Sequence, residues 1–294
     1  MNVLVTGGSG FIGSHIVDEL IEKDHSVRVL DIKSPHRSDV DFLQGSILSL
    51  NDIKKSLKDI DIVYHIGGFS NIDMVKDNPL DTIRLNIMGT TNMLEVSRKK
   101  KIKRFILASS VYVHDLKGHL YTTSKMASEL ICKNYYDLYG LPYTILRYGT
   151  VYGPRSRNAD VISIFVRKAL NPGKITIYGN GEQRRNFIFT KDVAEVSVKA
   201  IDNIAENKTY CIAYPKSFTI NQLAQIIKNV VNPEVIIQRA LHNAREYDYL
   251  GEIKNLKETF SDLKWQPKFS LEDGIKSYLK WYRKVFDTPS KTDF

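Results

Sequence analysis

A tyrosine and a lysine four positions apart, Tyr121 and Lys125, have the types and spacing for acid–base chemistry. At this spacing two side chains project from one face of a helix, which the pattern predicts over 123–139. A tyrosine hydroxyl, with an ordinary pKa of about 10, acts as a general base only when that pKa is lowered. A lysine ammonium one turn away favours the phenolate. The alternative is an exposed helix turn with no chemical role.

A serine pair at the end of an apolar run strengthens the chemical interpretation. Residues 104–109 are predicted to form a strand, and Ser109 and Ser110 stand at its carboxyl end. In open α/β sheets ligands bind outside that edge. Ser110 could therefore hydrogen-bond the oxygen that Tyr121 deprotonates. The alternative is a serine that only caps the strand or the following turn.

The amino terminus predicts a dinucleotide site that would sit beside these groups. A short apolar strand over 2–6 leads into glycines at positions 7, 10 and 13, and a helix over 11–23 begins inside the glycine run. Gly7 permits a sharp turn with positive φ, Gly10 leaves the backbone amides open to a diphosphate, and Gly13 allows close helix–strand packing. The helix N-terminus supplies oriented N–H donors for the pyrophosphate.

Asp31 closes the second predicted strand, 26–31, and lies 18 residues after Gly13. An acidic side chain about 20 residues after the glycines is expected to hold the ribose hydroxyls of NAD. A carboxylate repels a 2′-phosphate, so NAD is favoured over NADP, although the nearby Lys33 leaves NADP open. The positive ring of bound NAD+ would further favour the phenolate of Tyr121.

Short apolar strands alternate with amphipathic helices, which predicts an α/β fold with a Rossmann-like, doubly wound parallel sheet. Residues 1–150 are predicted to form the NAD-binding domain, with 186–214 interleaved. Residues 151–185 and 215–294 would form a smaller C-terminal α/β substrate lobe. Further strands are predicted over 41–44, 61–66, 143–148, 174–178, 186–190 and 235–238, and further helices over 50–58, 80–100, 160–170, 191–203, 219–231 and 270–284.

Composition narrows the functional classes. The chain has 294 residues, a net charge of +9 and two cysteines, Cys132 and Cys211. No apolar run is long enough for a membrane span, and no Cys/His cluster has metal-ligand spacing. A cytoplasmic protein with buried free thiols is expected. The basic run at 98–101 is predicted to be a solvated helix end rather than a nucleic-acid site.

The chain resembles the extended short-chain dehydrogenases/reductases, and among them the nucleotide-sugar epimerase/dehydratase group. The resemblance covers nearly the whole chain, from Val3 to about Tyr282. It is carried by motifs in the family's order, at residues 6–13, 63–66, 86–90, 108–110, 121–125, 146–155, 178–181 and 183–194.

The resemblance implies a role for each matching residue. Tyr121 would be the catalytic acid/base, Lys125 would lower its pKa and hold the nicotinamide ribose, and Ser110 would orient the substrate hydroxyl. Cofactor contacts, which include Tyr121 and Lys125, are implied for Gly7, Gly10, Phe11, Ile12, Gly13, Asp31, Ser46, Ile47, Ile66, Gly67, Gly68, Asn86, Ala108, Tyr148 and Val151. Substrate contacts, which include Ser110, are implied for Thr150, Tyr178, Arg185 and Arg245, with the two arginines on the diphosphate.

Several residues depart from the family's pattern. Ser46 stands where the family often has Asp, Gly67 and Gly68 replace a common pair of alanines, and Thr150 replaces a frequent Asn. Val111 and Tyr112 stand where 4,6-dehydratases carry an Asp-Glu pair. Elimination of water needs that second acid and base, so a dehydratase is not expected. The loop between Ser110 and Tyr121 is short.

The leading hypothesis is therefore an NAD-dependent UDP-hexose 4-epimerase acting through a transient 4-keto sugar. A reductase or dehydrogenase of a keto sugar would use the same residues, and a non-catalytic dinucleotide sensor is a third possibility. The resemblance also implies a homodimer that pairs the helices 80–100 and 123–139 in a four-helix bundle. Strand-end His65 is predicted to be structural, and His114 and His119 to be solvated.

Overall fold

The computed structural model describes residues 1–70, 74–114, 120–156, 160–171, 173–240, 253 and 255–286. Within these ranges no helix is long and apolar enough to cross a membrane. In the same ranges, no three His, Cys, Asp or Glu side chains are grouped so that they could hold a metal ion. The chain divides into two compact units, each with its own hydrophobic core.

The first unit comprises Met1–Tyr148, Val193–Ile212 and Gly251–Gln266. Its centre is a seven-stranded parallel sheet. The strands are β1 (Asn2–Thr6), β2 (Ser26–Asp31), β3 (Asp41–Gln44), β4 (Ile62–His65), β5 (Arg104–Ser110), β6 (Tyr143–Tyr148) and β11 (Lys208–Ile212). They lie side by side in the order β11-β6-β5-β4-β1-β2-β3. The predicted Rossmann-like parallel sheet is confirmed.

Helices connect these strands. They are α1 (Phe11–Glu22), α2 (Leu50–Ser56), α3 (Pro79–Ile83), α4 (Gly89–Lys99), α5 (Leu120–Tyr139), α7 (Thr190–Lys199) and α9 (Leu256–Asp262). A π-helical turn, Arg84–Met88, joins α3 to α4, so the predicted helix over 80–100 is continuous but widened near its middle. The strand residues Leu4, Val63 and Phe105 are fully buried in this unit's core.

The second unit comprises Gly149–Asp192, Ala213–Leu250 and Pro267–Phe294. Among its described residues, the strands form three two-stranded sheets rather than one continuous sheet. The strands are β7 (Thr150–Tyr152), β8 (Lys174–Tyr178), β9 (Arg184–Arg185), β10 (Phe187–Phe189), β12 (Phe218–Thr219) and β13 (Ile236–Ala240). Its helices are α6 (Val161–Leu170), α8 (Ile220–Val231) and α10 (Leu271–Phe286).

Two helices begin at residues whose side chains cap them. Ser49 accepts a hydrogen bond from the Asp52 amide ahead of α2. Thr219 and Gln222 form a capping box at the start of α8, each side chain bonding the other's backbone N–H. Such caps satisfy amides that have no partner within the helix.

The sequence analysis did not predict two elements of the first unit. Strand β11 lies at the edge of the sheet and pairs in parallel with β6. Helix α9 belongs with it rather than with the predicted substrate lobe, since Thr259 donates to the Cys211 carbonyl and Asp262 accepts from Lys208. Both elements lie beyond the regular strand–helix alternation, where periodicity gives little signal.

Candidate active site

The end of β5 and the first two turns of α5 carry the predicted catalytic residues in the first unit. Lys125 donates from Nζ to the Ala108 carbonyl over 2.9 Å, and its Nζ lies 6.0 Å from the centre of the Tyr121 ring. Ser110 follows Ala108 by two residues, and its hydroxyl accepts from the Tyr112 amide. Ser110, Tyr121 and Lys125 are 6%, 8% and 8% exposed. They therefore lie at the carboxyl edge of the sheet, where the sequence predicted a ligand site.

Burial lowers the pKa of Lys125 and so affects how far the side chain is charged. Removal of the ammonium from water lowers the Lys125 pKa from 10.5 to about 8, and the carboxylate of Glu129, one turn later, opposes that change. The group is therefore mostly protonated near pH 7. A buried ammonium at this position is the electrostatic feature that a tyrosine general base requires.

The glycine turn has the geometry of a diphosphate cradle. Gly7 has φ of +69°, and a Cβ there would lie 2.7 Å from Gly67 Cα. A Cβ on Gly13 would lie 2.1 Å from the Gly7 carbonyl oxygen. At Gly10 a Cβ would meet only that same carbonyl within 4 Å, so the remaining space is open. No side chain caps the N-terminus of α1, which leaves its first amides for an anion.

Asp31 is oriented towards this turn. Its carboxylate accepts from the Ser9 amide over 3.0 Å and from the Lys33 amide over 3.1 Å. Each oxygen keeps further lone-pair capacity, as binding a ribose diol would need. The residues present therefore fit NAD: α1 and its glycine turn for the pyrophosphate, and Asp31 for the adenosine ribose.

The turn after β3 carries the other predicted contacts at this end of the site. The Ser46 amide donates to Asp52 and its hydroxyl accepts from the Leu48 amide. The Ile47 side chain is buried in the core, 2.7 Å from where a Cβ on Gly89 would lie. The Ile47 side chain therefore belongs to the core packing, and the Ile47 carbonyl accepts from Asn92 Nδ2 over 3.3 Å.

Two residues predicted to touch the cofactor have side chains engaged elsewhere. Asn86 is buried, with its amide bonded to the backbone of Phe69 and to Ser124. Tyr148 is buried, and its hydroxyl lies 2.9 Å from Ser197 Oγ on α7. Burial raises the Tyr148 pKa well above its ordinary value, so this hydroxyl stays protonated.

Residues 66–68, also predicted to contact the cofactor, follow β4, and the Gly67 amide donates to Thr6 Oγ1.

Three of the predicted substrate residues lie in the second unit, namely Thr150, Tyr178 and Arg185, together with Val151, a predicted cofactor contact. Ser110, also a predicted substrate contact, lies in the first unit. Tyr178 ends β8 with 52% of its surface exposed, ahead of a turn with positive φ at Gly179. Arg185 is half-buried in β9, which pairs with β12. Its neighbour Arg184 donates two hydrogen bonds to Ser217, one to Oγ and one to the carbonyl. Thr150 and Val151 are half-buried in β7, and Arg245 lies outside the described residues.

A buried ion pair behind the serines was missing from the sequence prediction. Glu129 and Arg147 pair through both carboxylate oxygens, and Ser109 donates to the same carboxylate. Arg147 Nη1 lies 3.3 Å from His114 Nε2. The predicted solvation of His114 is therefore wrong, because the histidine packs against this pair; His119 lies outside the described residues. Glu129 follows Lys125 by four residues, which places both on one helix face, and this spacing was the sequence signal that could have indicated Glu129 as part of the site.

His65 and the cysteines behave as predicted. His65 is buried between Thr6 Oγ1, 2.9 Å from Nδ1, and Thr90 Oγ1, 3.1 Å from Nε2. Burial lowers the His65 pKa from 6.5 to about 3, so the ring is neutral at pH 7. Cys132 and Cys211 are buried free thiols whose pKa values burial raises.

Comparison with known proteins agrees with this geometry. Residues 3–213 match the NAD dependent epimerase/dehydratase family. A Methanocaldococcus jannaschii protein, provisionally named a UDP-glucose 4-epimerase, is 34% identical, with 96% of this chain and 98% of the relative covered. A Bacillus cytotoxicus UDP-N-acetyl-alpha-D-glucosaminuronate decarboxylase is 31% identical, with 96% and 98% covered.

The fold likeness extends to solved structures. The crystal structure of Thermotoga maritima UDP-glucose 4-epimerase with UDP-glucose superposes with a TM-score of 0.89 at 30% identity, covering 97% of this chain and 99% of that one. The glycine turn, the oriented Asp31 and the family match make NAD the cofactor. The chain belongs to the NAD-dependent epimerase/dehydratase family of nucleotide-sugar enzymes.

Proposed function

We propose that this protein is a UDP-hexose 4-epimerase that uses Tyr121 as its acid/base. The carrying observation is the buried Lys125 ammonium, which lies within one helical turn of Tyr121 and bonds the strand end that leads to Ser110. Bound NAD+ would accept the C4 hydride of the sugar and return it. Tyr121 would take the C4 hydroxyl proton as the carbonyl forms and give it back on reduction.

Each neighbouring residue has a defined part in this scheme. Lys125 lowers the free energy of the Tyr121 phenolate, and Ser110 holds the C4 oxygen by a hydrogen bond. Arg185 pairs with the diphosphate, and Tyr178 lies against the nucleobase. Because Val111 and Tyr112 follow Ser110, no second carboxylic acid is available there for elimination.

Interconversion of UDP-galactose and UDP-glucose tests the proposal. The full-length protein with NAD+ is expected to bring either sugar to the same equilibrium mixture without net change in nicotinamide absorbance. Stoichiometric formation of NADH would instead identify a dehydrogenase. Release of CO2 from a UDP-uronic acid would identify a decarboxylase, the activity named for one relative. No conversion of UDP-hexoses or their N-acetyl forms would refute the epimerase.

We also propose that the protein is a homodimer that pairs the continuous helix α3–α4 and helix α5 with their copies in a four-helix bundle. Three leucines on these helices support the proposal: Leu80, Leu130 and Leu138 are 76%, 60% and 70% exposed. Exposed leucines on neighbouring helices are typical of a protein interface. Light scattering at micromolar concentration should give a dimer mass, and L130D/L138D a monomer mass; a monomeric wild-type protein would contradict the assignment.

A further inference from the structure

We propose that Asn221, in the first turn of α8, is a positioning residue that fixes the spacing between Tyr178 and Arg185. These two residues lie on either side of the linking turn, residues 179–183, which joins β8 to β9. The inference rests on the proposed function for the roles of Tyr178 at the nucleobase and Arg185 at the diphosphate. The geometry that supports it lies entirely within the second unit.

The linking turn depends on contacts from outside for a single shape. Gly179 and Gly181 both have positive φ, at +74° and +73°. Glycine has the most backbone freedom of any residue, so two glycines in one turn leave it easily deformed. Within the turn, the Glu182 amide donates to Asn180 Oδ1 over 3.0 Å. At its first residue, the Gly179 amide donates to the Ala240 carbonyl at the end of β13 over 2.9 Å.

The N-terminus of α8 holds the other part of the turn through backbone hydrogen bonds. The first amides of a helix have no acceptor within it. Here the Ile220 amide donates to the Gln183 carbonyl over 3.1 Å, and the Asn221 amide donates to the Gly181 carbonyl over 3.0 Å. The capping box satisfies the next amide. This helix end is therefore a support for the linking turn, and the diphosphate is left to Arg185.

The Asn221 side chain adds the contacts that depend on residue type. Its Nδ2 donates to the Asn180 carbonyl over 3.0 Å and to Glu182 Oε1 over 2.6 Å. Both partners only accept, so the orientation of the amide is fixed. A Cβ added to Gly181 would collide with Asn221 Oδ1 and would lie 2.7 Å from its Cγ. The side chain therefore spans the turn and packs against its middle residue.

A fixed linking turn sets the relative position of two groups that must meet one nucleotide. Tyr178 precedes the turn, and Arg185 follows it in β9, whose partner strand β12 leads directly into α8. Asn221 should therefore control affinity for the nucleotide part of the substrate and leave the chemical step at C4 unaffected. A residue that only stabilised the fold would lower Tm without changing that affinity.

The test measures the Kd of UDP by calorimetry on the full-length protein in the presence of NAD+, and KM and kcat for the UDP-hexose. Asn221→Ala removes two hydrogen bonds and should raise the Kd of UDP and KM by about three- to tenfold, with kcat within about twofold of wild type. Asn221→Asp keeps the shape but cannot donate, and it places a second carboxylate beside Glu182, so its Kd should rise at least as much. An unchanged Kd in both variants would overturn the proposal.

A double-mutant cycle with Gly181 tests the direct contact. Gly181→Ala strains the backbone in any background, but its Cβ meets the amide only when Asn221 is present. The increase in Kd caused by Gly181→Ala should therefore be at least about twofold smaller in the Asn221→Ala background. Equal increases in the two backgrounds would contradict the contact.

Gln225→Ala is the matched control. Gln225 lies one turn later on α8, and its Nε2 donates to Asn229 Oδ1 over 2.9 Å within the same helix. Its loss should leave the Kd of UDP within about twofold of wild type. A rise as large as that of Asn221→Ala would overturn the proposal, since destabilisation of α8 would then explain both. Because UDP binding is measured without turnover, failure of the epimerase reaction leaves this test intact, whereas a wild-type protein that does not bind UDP would overturn the inference.

Discussion

The two units position functional groups by different means. In the first unit the candidate groups follow buried parallel strands, and Lys125, Asn86 and Asp31 are all fixed by hydrogen bonds to backbone atoms. In the second unit, Tyr178 stands at a strand end with half its surface exposed, and Arg185 lies in a two-residue strand. The first arrangement suits chemistry that does not change with substrate, and the second suits recognition that can change. The two units should therefore respond to substitution in separate ways.

The largest difference between the two units is expected from Tyr121→Phe in the first unit, which should lower kcat. The variant keeps the ring and removes only the proton-transferring oxygen, so kcat should fall by about a thousandfold, within the range for loss of a general acid/base. Steady-state kinetics and NAD+ titration check this result. NAD+ affinity should change little, and a variant with more than a tenth of wild-type kcat would contradict the role.

In the second unit, Arg185→Gln should raise KM for the nucleotide sugar by about 10–100-fold through loss of a charge-assisted contact to the diphosphate. Arg184→Gln is the control, because Arg184 bonds Ser217. Kinetics of both variants give the comparison. Equal KM values would show that Arg185 does not meet the substrate, and a change in kcat alone would remove the proposed difference between the units.

His65 should make the stability of the first unit depend on pH. Its pKa is about 3 in the folded protein and 6.5 in the unfolded chain, so the unfolded chain binds more protons between these values. Stability is therefore lost as pH falls from 7, by about 2 kcal/mol at pH 5 from this group. Urea unfolding of wild type and His65→Gln checks it. The free energy of unfolding of the variant should depend less steeply on pH between 7 and 5. The same pH dependence in both proteins would refute the neutral buried ring.

A smaller effect is expected from substitution of Lys125, which should raise the free energy of unfolding rather than lower it. Burial lowers its folded pKa to about 8 from 10.5, so the charged form destabilises the protein at pH 7 and stability rises between pH 8 and 10.5. After allowance for the lost bond to Ala108, Lys125→Met should be more stable at pH 7 by about 1–2 kcal/mol. Urea unfolding measures this; Lys133→Met, on the same helix, is the control and should change little. A less stable Lys125→Met would contradict the assignment.

The sequence predicted the first unit better than the second for a physical reason. Strands buried on both faces and amphipathic helices leave strong periodic patterns, and glycine spacing follows from the backbone geometry of the turn at Gly7. The short strands β7, β9 and β12 leave no such pattern. Lys125 was predictable because its partner Tyr121 lies four residues away in the same helix. The hydrogen bonds of Asn86 and the pairing of Arg147 with Glu129 were not predictable, because those partners are far away along the chain and depend on tertiary packing.

The most direct test of the central claim follows the hydrogen at C4 of the sugar. UDP-galactose carrying deuterium at C4 is incubated with the protein and NAD+, and the UDP-glucose formed is analysed by mass spectrometry and NMR. If Tyr121 and Lys125 support transient oxidation with return of the same hydrogen, the deuterium stays at C4 of the product. Loss of the label from C4, or its accumulation in released nicotinamide, would contradict the account.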